Sequence, residues 1–267
     1  MEKLTIDLPC VELQTEAVCP VCGEKLYHRL CIPGREPRMV RKSCRCRQER
    51  RQQEEAQKRR MEFEVTMDRL RERYPITDRD CRAMTFAADD RRDAAIGDVC
   101  RKYVEQWEEM KRENIGMLFY GSVGTGKTYF GCAVVNALLD RQVPAAVTGF
   151  PRLLNLLQSE RDRQGLIDHL HRYELLLIDD LGVERDTAYA MEQVYAIIDA
   201  RARVGLPLMI TTNLSLQELK NPATTEAARI YDRVLELCPI TLKMTGESRR
   251  KEQAERKKAR ARQLLQG

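Results

Sequence analysis

The segment from Gly121 to Thr128 constrains this chain most, because its sequence GSVGTGKT meets every position of the phosphate-binding loop pattern G-x-x-x-x-G-K-[ST]. The apolar run 117–120 before it is typical of a buried strand, and residues 128–139 after it carry a helical apolar pattern. A chance match lacks this order of strand, loop and helix. The alternative, a glycine-rich turn with an incidental lysine, is therefore the weaker interpretation, and the sequence predicts nucleotide binding.

Each residue type in this loop has a physical reason. Glycines let the backbone approach phosphate oxygens closely, so that successive N–H groups point inward. Lys127 is predicted to reach the β and γ phosphates, and Thr128 to help hold Mg²⁺. The predicted nucleotide-binding residues are Gly121, Ser122, Val123, Gly124, Thr125, Gly126, Lys127 and Thr128.

A second apolar run, residues 175–178, ends in the carboxylates Asp179 and Asp180. Asp179 is predicted to orient the Mg²⁺ shell, and Asp180 takes the position where many ATPases place Glu to polarise the attacking water. Its side chain is one methylene shorter than Glu, which favours slow or conditional hydrolysis. Helix capping is the alternative role for such a pair.

Asn213 follows the next apolar run, in the sequence Thr-Thr-Asn. An amide both donates and accepts hydrogen bonds, so Asn213 can hold the lytic water and contact the γ-phosphate. The tripeptide alone is a weak signal. Its position one strand after Asp179 strengthens the prediction.

The whole segment after residue 75 alternates between apolar runs and helical patterns. Strands are predicted at 117–120, 145–148, 175–178, 208–212 and 240–244. Helices are predicted at 91–113, 128–139, across 151–171, and at 187–204 and 226–237. Strands that are apolar throughout and separated by helices indicate the α/β class, with a parallel sheet covered on both faces.

Six of the ten cysteines lie between residues 10 and 46. Cys-Pro-Val-Cys-Gly and the later Cys-Arg-Cys resemble two metal-binding knuckles, and four thiolates suit tetrahedral Zn²⁺. The predicted zinc ligands are Cys19, Cys22, Cys44 and Cys46. Spare candidates are Cys10, His28 and Cys31. The alternative is a set of unliganded thiols in a flexible arm.

Length and charge set further limits. The 267 residues allow one α/β domain and a smaller appendage, and the net charge is only +5, but basic runs stand out at 35–51 and 249–262. Such runs attract phosphate backbones, although a solvated helix face is the commoner explanation. No apolar segment approaches the roughly 18 residues of a membrane span, and no leader sequence is apparent, so a cytoplasmic protein with reduced thiols is expected.

A charged helix is predicted from residue 47 to residue 74, and its second half carries an apolar stripe. That stripe packs either on the neighbouring domain or in a partner's groove. The predicted domains are a zinc-binding module at 1–46, a charged connecting helix at 47–74, an ATPase domain at 75–250 and a basic C-terminal tail at 251–267.

Over residues 75–250 the order of motifs resembles the AAA+ superfamily, and within it the DnaC and DnaI helicase loaders and the IstB-type transposition ATPases. The resemblance is carried by GSVGTGKT, LLLIDDLG, ERDTAYAMEQVYAIIDARARVGLPLMITTNLS, ARIYDRVLE and GESRR. It implies a P-loop ATPase domain without a full helical lid, preceded here by the zinc module and the connecting helix.

The resemblance also implies roles for arginines. Arg233, with Arg229 as second choice, would act on the ATP of a neighbouring subunit, and Arg250 would belong to a closing sensor motif. A guanidinium suits both roles because it stays charged and bridges phosphate oxygens. For each arginine alone, a surface salt bridge is the competing interpretation.

An insertion that contacts single-stranded DNA in these relatives falls at residues 150–172 here. Its candidate DNA contacts are Arg152, Arg161 and Arg163. By the same resemblance the N-terminal module would hold a replicative helicase, and subunits would associate through a shared ATP site. The predicted function is that of a helicase loader. The alternatives are an ATPase that assists a transposase on double-stranded DNA and a nucleotide-gated zinc adaptor with little turnover.

Overall fold

The computed structural model describes residues 17–74, 79–182, 187–246 and 248–266. The chain divides into an N-terminal unit, Met1–Glu64, and a C-terminal unit, Val65–Gly267. Cys10 lies outside the described residues. Among the described residues, no helix combines the length and the apolar character that crossing a bilayer requires.

The N-terminal unit contains a small antiparallel hairpin. Its strands are β1 (Tyr27–Leu30) and β2 (Arg38–Arg41), with Tyr27 opposite Arg41. Seven of the eight strand residues are exposed, so the hairpin buries little apolar surface. Among the described residues of this unit, the buried side chains are Cys19 and Cys44, which are 7% and 2% exposed.

A long helix, α1 (Arg45–Arg73), begins in the first unit, ends in the second and covers nearly the residues that the sequence predicts to be helical. Its exposed part carries ion pairs at i,i+4 spacing, among them Arg60 with Glu64 at 3.2 Å. Met67 and Leu70 are buried at its C-terminal end. This end of the apolar stripe therefore packs within the C-terminal unit.

Five parallel strands form the sheet of the C-terminal unit, as the apolar runs predict. They are β3 (Met117–Gly121), β4 (Ala145–Gly149), β5 (Leu175–Leu181), β6 (Leu208–Thr212) and β7 (Ile240–Met244). Their order is β4-β5-β6-β3-β7. The phosphate-binding loop follows β3, Asp179 and Asp180 lie at the end of β5, and Asn213 follows β6. Because these three strands are neighbours, their carboxyl ends bring the predicted site together.

Helices connect and cover the strands. They are α2 (Ala94–Glu105), α3 (Trp107–Arg112), α4 (Lys127–Asp140), α5 (Phe150–Ser159), α6 (Arg163–Leu170), α7 (Ala188–Val204), α8 (Leu216–Lys220), α9 (Thr225–Leu237) and α10 (Arg249–Gln266). The predicted continuous helix over 91–113 is wrong, because Gln106, at φ −98° and ψ 23°, ends α2 and begins α3. The basic C-terminal segment is helical as α10.

Arg201 joins several elements from inside the fold. This α7 side chain is 1% exposed, and burial lowers its pKa to about 9. Its guanidinium donates hydrogen bonds to the carbonyl oxygens of Leu170, Tyr173, Glu174 and Pro207. These carbonyls lie at the end of α6 and just before β5 and β6, so one cation fixes the starts of two central strands.

Candidate functional site: a nucleotide cavity and a four-thiol cluster

The phosphate-binding loop has a backbone that only glycine fits. Gly124 and Gly126 have φ values of +83° and +101°, in the region that side chains disfavour. A Cβ on Gly124 would lie 2.1 Å from Ser248 Oγ, and one on Gly121 would lie 2.2 Å from the Met244 carbonyl oxygen. The loop leads directly into the N-terminus of α4, whose dipole favours anions. This cradle fits a phosphate group.

Lys127 lies at the centre of the cradle. Its Nζ donates hydrogen bonds to the carbonyl oxygens of Gly121 at 2.9 Å and Ser122 at 2.7 Å and to Asn213 Oδ1 at 2.8 Å. All three acceptors are neutral. Burial lowers the pKa of Lys127, and the buried ammonium therefore favours a bound anion. The structure brings Asn213 to Lys127, as its predicted position implies.

Thr128, Asp179 and Thr211 form a group of oxygen atoms beside the loop. The Thr128 hydroxyl donates to the Asp179 carboxylate, at 2.8 Å from Oδ1 and 3.1 Å from Oδ2, and the Thr211 hydroxyl donates to Oδ1 at 2.5 Å. Burial raises the pKa of Asp179, while the two hydroxyl donors oppose that change. Hydroxyl and carboxylate oxygens are the ligands Mg²⁺ prefers, so these residues fit the predicted metal.

A bulge at the end of β5 explains how two consecutive aspartates serve one site. The β5–β6 register shifts between Ile178 and Leu181, and Asp180 adopts a φ of +60°. In a regular strand, neighbouring side chains point to opposite faces. Here the Asp180 N–H donates to Thr211 Oγ1 at 3.0 Å, and Asp180 lines the cavity together with Lys127.

Thr211 therefore bonds to both aspartates, a role that the sequence reasoning did not assign. The available signal was a hydroxyl residue at the carboxyl end of the strand following the Asp-Asp pair. Thr211 is fully buried. A buried hydroxyl at such a position needs a hydrogen-bond partner, and the neighbouring aspartate supplies one.

A cavity of about 570 Å³ opens over the loop. This volume is in the range of small-ligand sites. Besides the loop, Asp180, Asn213 and α10, its lining includes residues that sequence reasoning missed, Met84, Ala88, Asp90, Arg92 and Tyr129. No local pattern marks the segment 84–92, because its role depends on contacts with residues far along the chain.

The first turn of α10 closes one side of the cavity. Arg250, the predicted sensor, lines it together with Arg249. Arg249 pairs with Asp90 at 3.2 Å and with Asp93 at 2.7 Å, and its N–H donates to the Gly124 carbonyl at 2.9 Å. The charge of Arg249 is thus neutralised by carboxylates of the protein itself, whereas Arg250 forms no ion pair with any residue that the structure describes.

The arginines predicted to act between subunits lie on α9, outside the cavity lining. Arg233 pairs with Glu236 at 2.6 Å and with the buried Asp199 at 3.1 Å. Arg229 is exposed and has no ionic partner within the described ranges. The salt-bridge interpretation therefore describes Arg233 in this structure, and the role in a neighbour's site stays a prediction for both.

The predicted DNA contacts lie on and between α5 and α6. Arg152 and Arg161 are exposed. Arg163 donates to the Leu157 carbonyl at 3.1 Å and lies over the Tyr189 ring at 5.7 Å. The three arginines do not line the nucleotide cavity, and their contact with DNA stays a prediction.

The N-terminal unit brings together the four predicted zinc ligands. The Sγ atoms of Cys19, Cys22, Cys44 and Cys46 all lie within 4.8 Å of one another. The Cys46 Sγ is 3.5 Å from that of Cys19 and 3.4 Å from that of Cys44, close to the roughly 3.8 Å expected around tetrahedral zinc with Zn–S bonds of about 2.3 Å. The spare candidates His28 and Cys31 are exposed and are not members of the cluster.

Hydrogen bonds from the backbone N–H groups of Cys22 and Val21 lower the pKa of Cys19 to about 6. The lowered pKa favours the thiolate form of Cys19, which is the form that binds metal. The donor set and its spacing therefore fit a structural Zn²⁺.

Comparisons with known proteins agree with this geometry. Residues 47–258 match the family described as IstB-like ATP binding protein. The replicative helicase loader DnaI of Bacillus subtilis (strain 168) is 28% identical over 148 residues, which are 51% of this chain and 47% of DnaI. The loader DnaC of Escherichia coli (strain K12) is 27% identical over 125 residues, 45% of this chain and 49% of DnaC.

A putative ATP-binding protein in an insertion sequence of Mycobacterium tuberculosis (strain ATCC 25618 / H37Rv) is 26% identical over 126 residues, 45% of this chain and 49% of that protein. The chain thus spans about half the length of the curated relatives it matches.

Solved structures share the fold. The crystal structure of DnaI matches with a TM-score of 0.54 and 27% identity, over 65% of this chain and 94% of that one. The DnaC helicase loader matches with a TM-score of 0.52 and 22% identity, over 63% of this chain and all of that one. The parallel five-stranded α/β architecture is therefore that of the DnaI and DnaC AAA+ domains. With its nucleotide cradle assembled and residues 47–258 matched, the chain belongs to the family of IstB-like ATP binding proteins.

Proposed function

We propose that this protein is an ATP-dependent helicase loader, which binds a replicative helicase and places it on single-stranded DNA. The observation that carries the ATP-dependent part is the assembled site, in which Lys127 bonds to Asn213 and Thr128 bonds to Asp179. The helicase part is supported by similarity to two proteins named replicative helicase loaders. The location that goes with this function is the cytoplasm.

The residues of the site divide the work of binding and hydrolysis. The loop N–H groups and Lys127 would hold the phosphates, and Thr128 and Asp179 would hold Mg²⁺, which supplies neutralising charge. Asp180 would accept the proton of the attacking water, and Asn213 would distinguish bound triphosphate from diphosphate. Because Asp180 is short and its backbone is bonded to Thr211, we expect hydrolysis to be slow.

Arginines supply the remaining positive charge. Arg250 already lines the cavity of its own subunit. Arg233 or Arg229 would come from a neighbouring subunit, and Arg229 is better placed to do so because it is exposed and Arg233 is committed to Asp199 and Glu236. Self-association through a shared ATP site therefore belongs to the proposal.

The N-terminal unit would bind the helicase. Zinc at the four thiols would hold the unit in shape, since its hairpin buries little apolar surface. The direct test mixes the full chain with a purified hexameric replicative helicase and follows complex formation by size-exclusion chromatography with ATP, with ADP and without nucleotide. We expect a complex that Cys44→Ser weakens and Cys31→Ser leaves intact. Absence of a complex in every nucleotide state would contradict the proposal.

A second candidate function is assistance to a transposase on double-stranded DNA. It is favoured by the family match and by the relative in an insertion sequence. This function predicts nucleotide-dependent filaments on duplex DNA, which electron microscopy would show. Filaments together with no helicase complex would decide in its favour.

The third possibility, a nucleotide-gated zinc adaptor with little turnover, is tested by ATP hydrolysis in the presence of single-stranded DNA. Lys127→Ala should abolish the hydrolysis of a true ATPase. Equal rates for the parent and the variant would support the adaptor.

A further inference from the structure

Helix α10 is an unusually basic element for which the ATP site gives no full explanation. It contains eight basic and two acidic residues. None of its described side chains is buried, and its large apolar residues are confined to the exposed Leu264 and Leu265 near its end. Burial of an apolar face therefore does not hold this helix in place.

Ion pairs fix the beginning of α10. Glu252 accepts two hydrogen bonds from Arg92, at 2.6 and 3.1 Å, in a bidentate pair that bridges 160 positions of sequence. Bidentate arginine–carboxylate pairs are the more directional kind of ion pair. Together with Arg249, which is bonded to Asp93 and to the phosphate-binding loop, this pair attaches the first turns of α10 to the wall of the nucleotide cavity.

Helix α10 has an excess of unneutralised positive charge. Its two acidic residues are already paired, Glu252 with Arg92 and Arg256 and Glu255 with Lys258. Three further cations, at positions 257, 260 and 262, are exposed and form no ion pair with the part of the chain that the structure describes. They are Lys257, Arg260 and Arg262.

We propose that α10 is a binding surface for the phosphate backbone of single-stranded DNA, with Lys257, Arg260 and Arg262 as its contacts. The inference rests on the proposed function, which supplies single-stranded DNA as the polyanion. An exposed helix that carries unpaired cations and no apolar stripe matches a phosphate backbone, whereas a stable protein interface needs an apolar core.

This surface differs from the one that the sequence resemblance suggested. At residues 150–172, Arg163 is bonded to the Leu157 carbonyl and lies over Tyr189. One of the three arginines predicted to contact DNA there therefore already has partners within the protein. The α10 cations instead continue a helix whose first turn lines the ATP cavity. Such an arrangement lets bound nucleotide and bound DNA influence each other through one rigid element.

The test measures binding of the full chain to a fluorescein-labelled oligothymidylate by anisotropy at several salt concentrations. The variant Lys257→Gln/Arg260→Gln/Arg262→Gln removes three charges with a residue that keeps helix propensity. The matched control, Lys102→Gln/Lys220→Gln/Lys243→Gln, removes three exposed cations from other elements. Circular dichroism verifies that both variants keep their helix content.

We expect the α10 variant to bind about tenfold or more weakly, and the slope of log K against log salt to fall by about 2, since each phosphate contact on a single strand contributes about 0.7. The control variant should stay within about twofold of the parent, because backbone contacts and not overall charge decide the affinity. Unchanged binding by the α10 variant would overturn the inference.

Two further arms separate the possible failures. If Arg152→Gln/Arg161→Gln/Arg163→Gln loses affinity while the α10 variant binds fully, the DNA contacts lie on α5 and α6. This result would overturn the α10 inference but not the proposed function. A duplex of the same length that binds as tightly and loses as much in the α10 variant would overturn the assignment to single strands. The helicase mixing experiment is independent of these measurements. If no helicase complex forms but DNA binding still depends on α10, the loader function is rejected and the α10 surface is retained.

Discussion

The two units of this chain obtain their stability in different ways. The N-terminal unit has an exposed hairpin, and within its described part, residues 17–64, the buried side chains are Cys19 and Cys44, two members of the four-thiol cluster. The C-terminal unit buries most residues of its central strands, with Phe119 and Leu177 at 0% exposure. The buried centre of the first unit is a candidate metal site, whereas the other unit folds around its own apolar core and places its candidate nucleotide site at the edge of its sheet. Metal or nucleotide removal should therefore affect the two units differently.

Metal removal should produce the largest effect and unfold the N-terminal unit alone. A chelator would take the Zn²⁺ that we propose binds the thiols, and the hairpin lacks the apolar burial to stay folded without it. Limited proteolysis should then cut within residues 17–44. Trp107, the single tryptophan, is 1% exposed in the C-terminal unit, and its fluorescence should not change. Resistance of residues 17–44 to protease after chelation would contradict the comparison.

Arg201→Met should destabilise the C-terminal unit by about 3 kcal/mol, because four carbonyl oxygens near two strand starts lose their donor. Urea unfolding followed by Trp107 fluorescence measures the change. Arg161→Met removes an exposed arginine from the same unit and should change the free energy of unfolding by less than about 0.5 kcal/mol. Equal effects of the two variants would show that the buried cation does not organise the sheet.

Lys127→Ala should separate ligand binding from folding. In the parent protein, ATP and Mg²⁺ at about 100 times the dissociation constant should add about 2.7 kcal/mol to the free energy of unfolding. The variant should lose most of this gain, since no other lysine of the described residues lines the cavity, while its stability without nucleotide stays near that of the parent. Lys251→Ala, which removes an exposed lysine from α10 outside the cavity lining, should keep the full gain. A variant that still gains stability from ATP would show that the cradle is not the binding site.

Local patterns predicted much of this molecule. The glycine loop and the five apolar runs are continuous in sequence, so they revealed β3 to β7 and the cradle without long-range information. The proximity of Asp179 and Asn213 to Lys127 followed from the rule that parallel strands place their carboxyl ends at one edge. The four cysteines of the cluster could be grouped from the sequence alone because their type and spacing are typical of zinc ligands.

Other features depend on contacts that no local pattern records. The Arg249–Asp93 and Arg92–Glu252 pairs span 156 and 160 positions, and each partner alone resembles any surface charge. The bulge that turns Asp180 into the cavity requires a left-handed backbone at an aspartate, which composition does not reveal. These contacts decide which charged residues serve the site.

His169 provides the smallest expected effect, a pH dependence confined to the C-terminal unit. The side chain is 2% exposed, with its ring 4.9 Å from that of Tyr74 and 5.7 Å from that of Tyr173. Burial lowers its pKa below the ordinary 6.5, and the positive charges of Arg172 and Arg73 lower it further. The unfolded chain therefore takes up a proton first as the pH falls.

Stability should consequently decrease as the pH drops through 6.5, the ordinary histidine value, by at most about 1.4 kcal/mol per pH unit for this one group. His169→Phe keeps a ring at the position and removes the titration, so urea unfolding followed by Trp107 should depend less on pH between about 7.5 and 5.5. Burial also lowers the pKa of His171, and that residue should account for part of the remaining slope. His28→Phe, an exposed site in the N-terminal unit, should leave the slope unchanged. If His169→Phe retains the full pH dependence, α6 does not bury a neutral histidine.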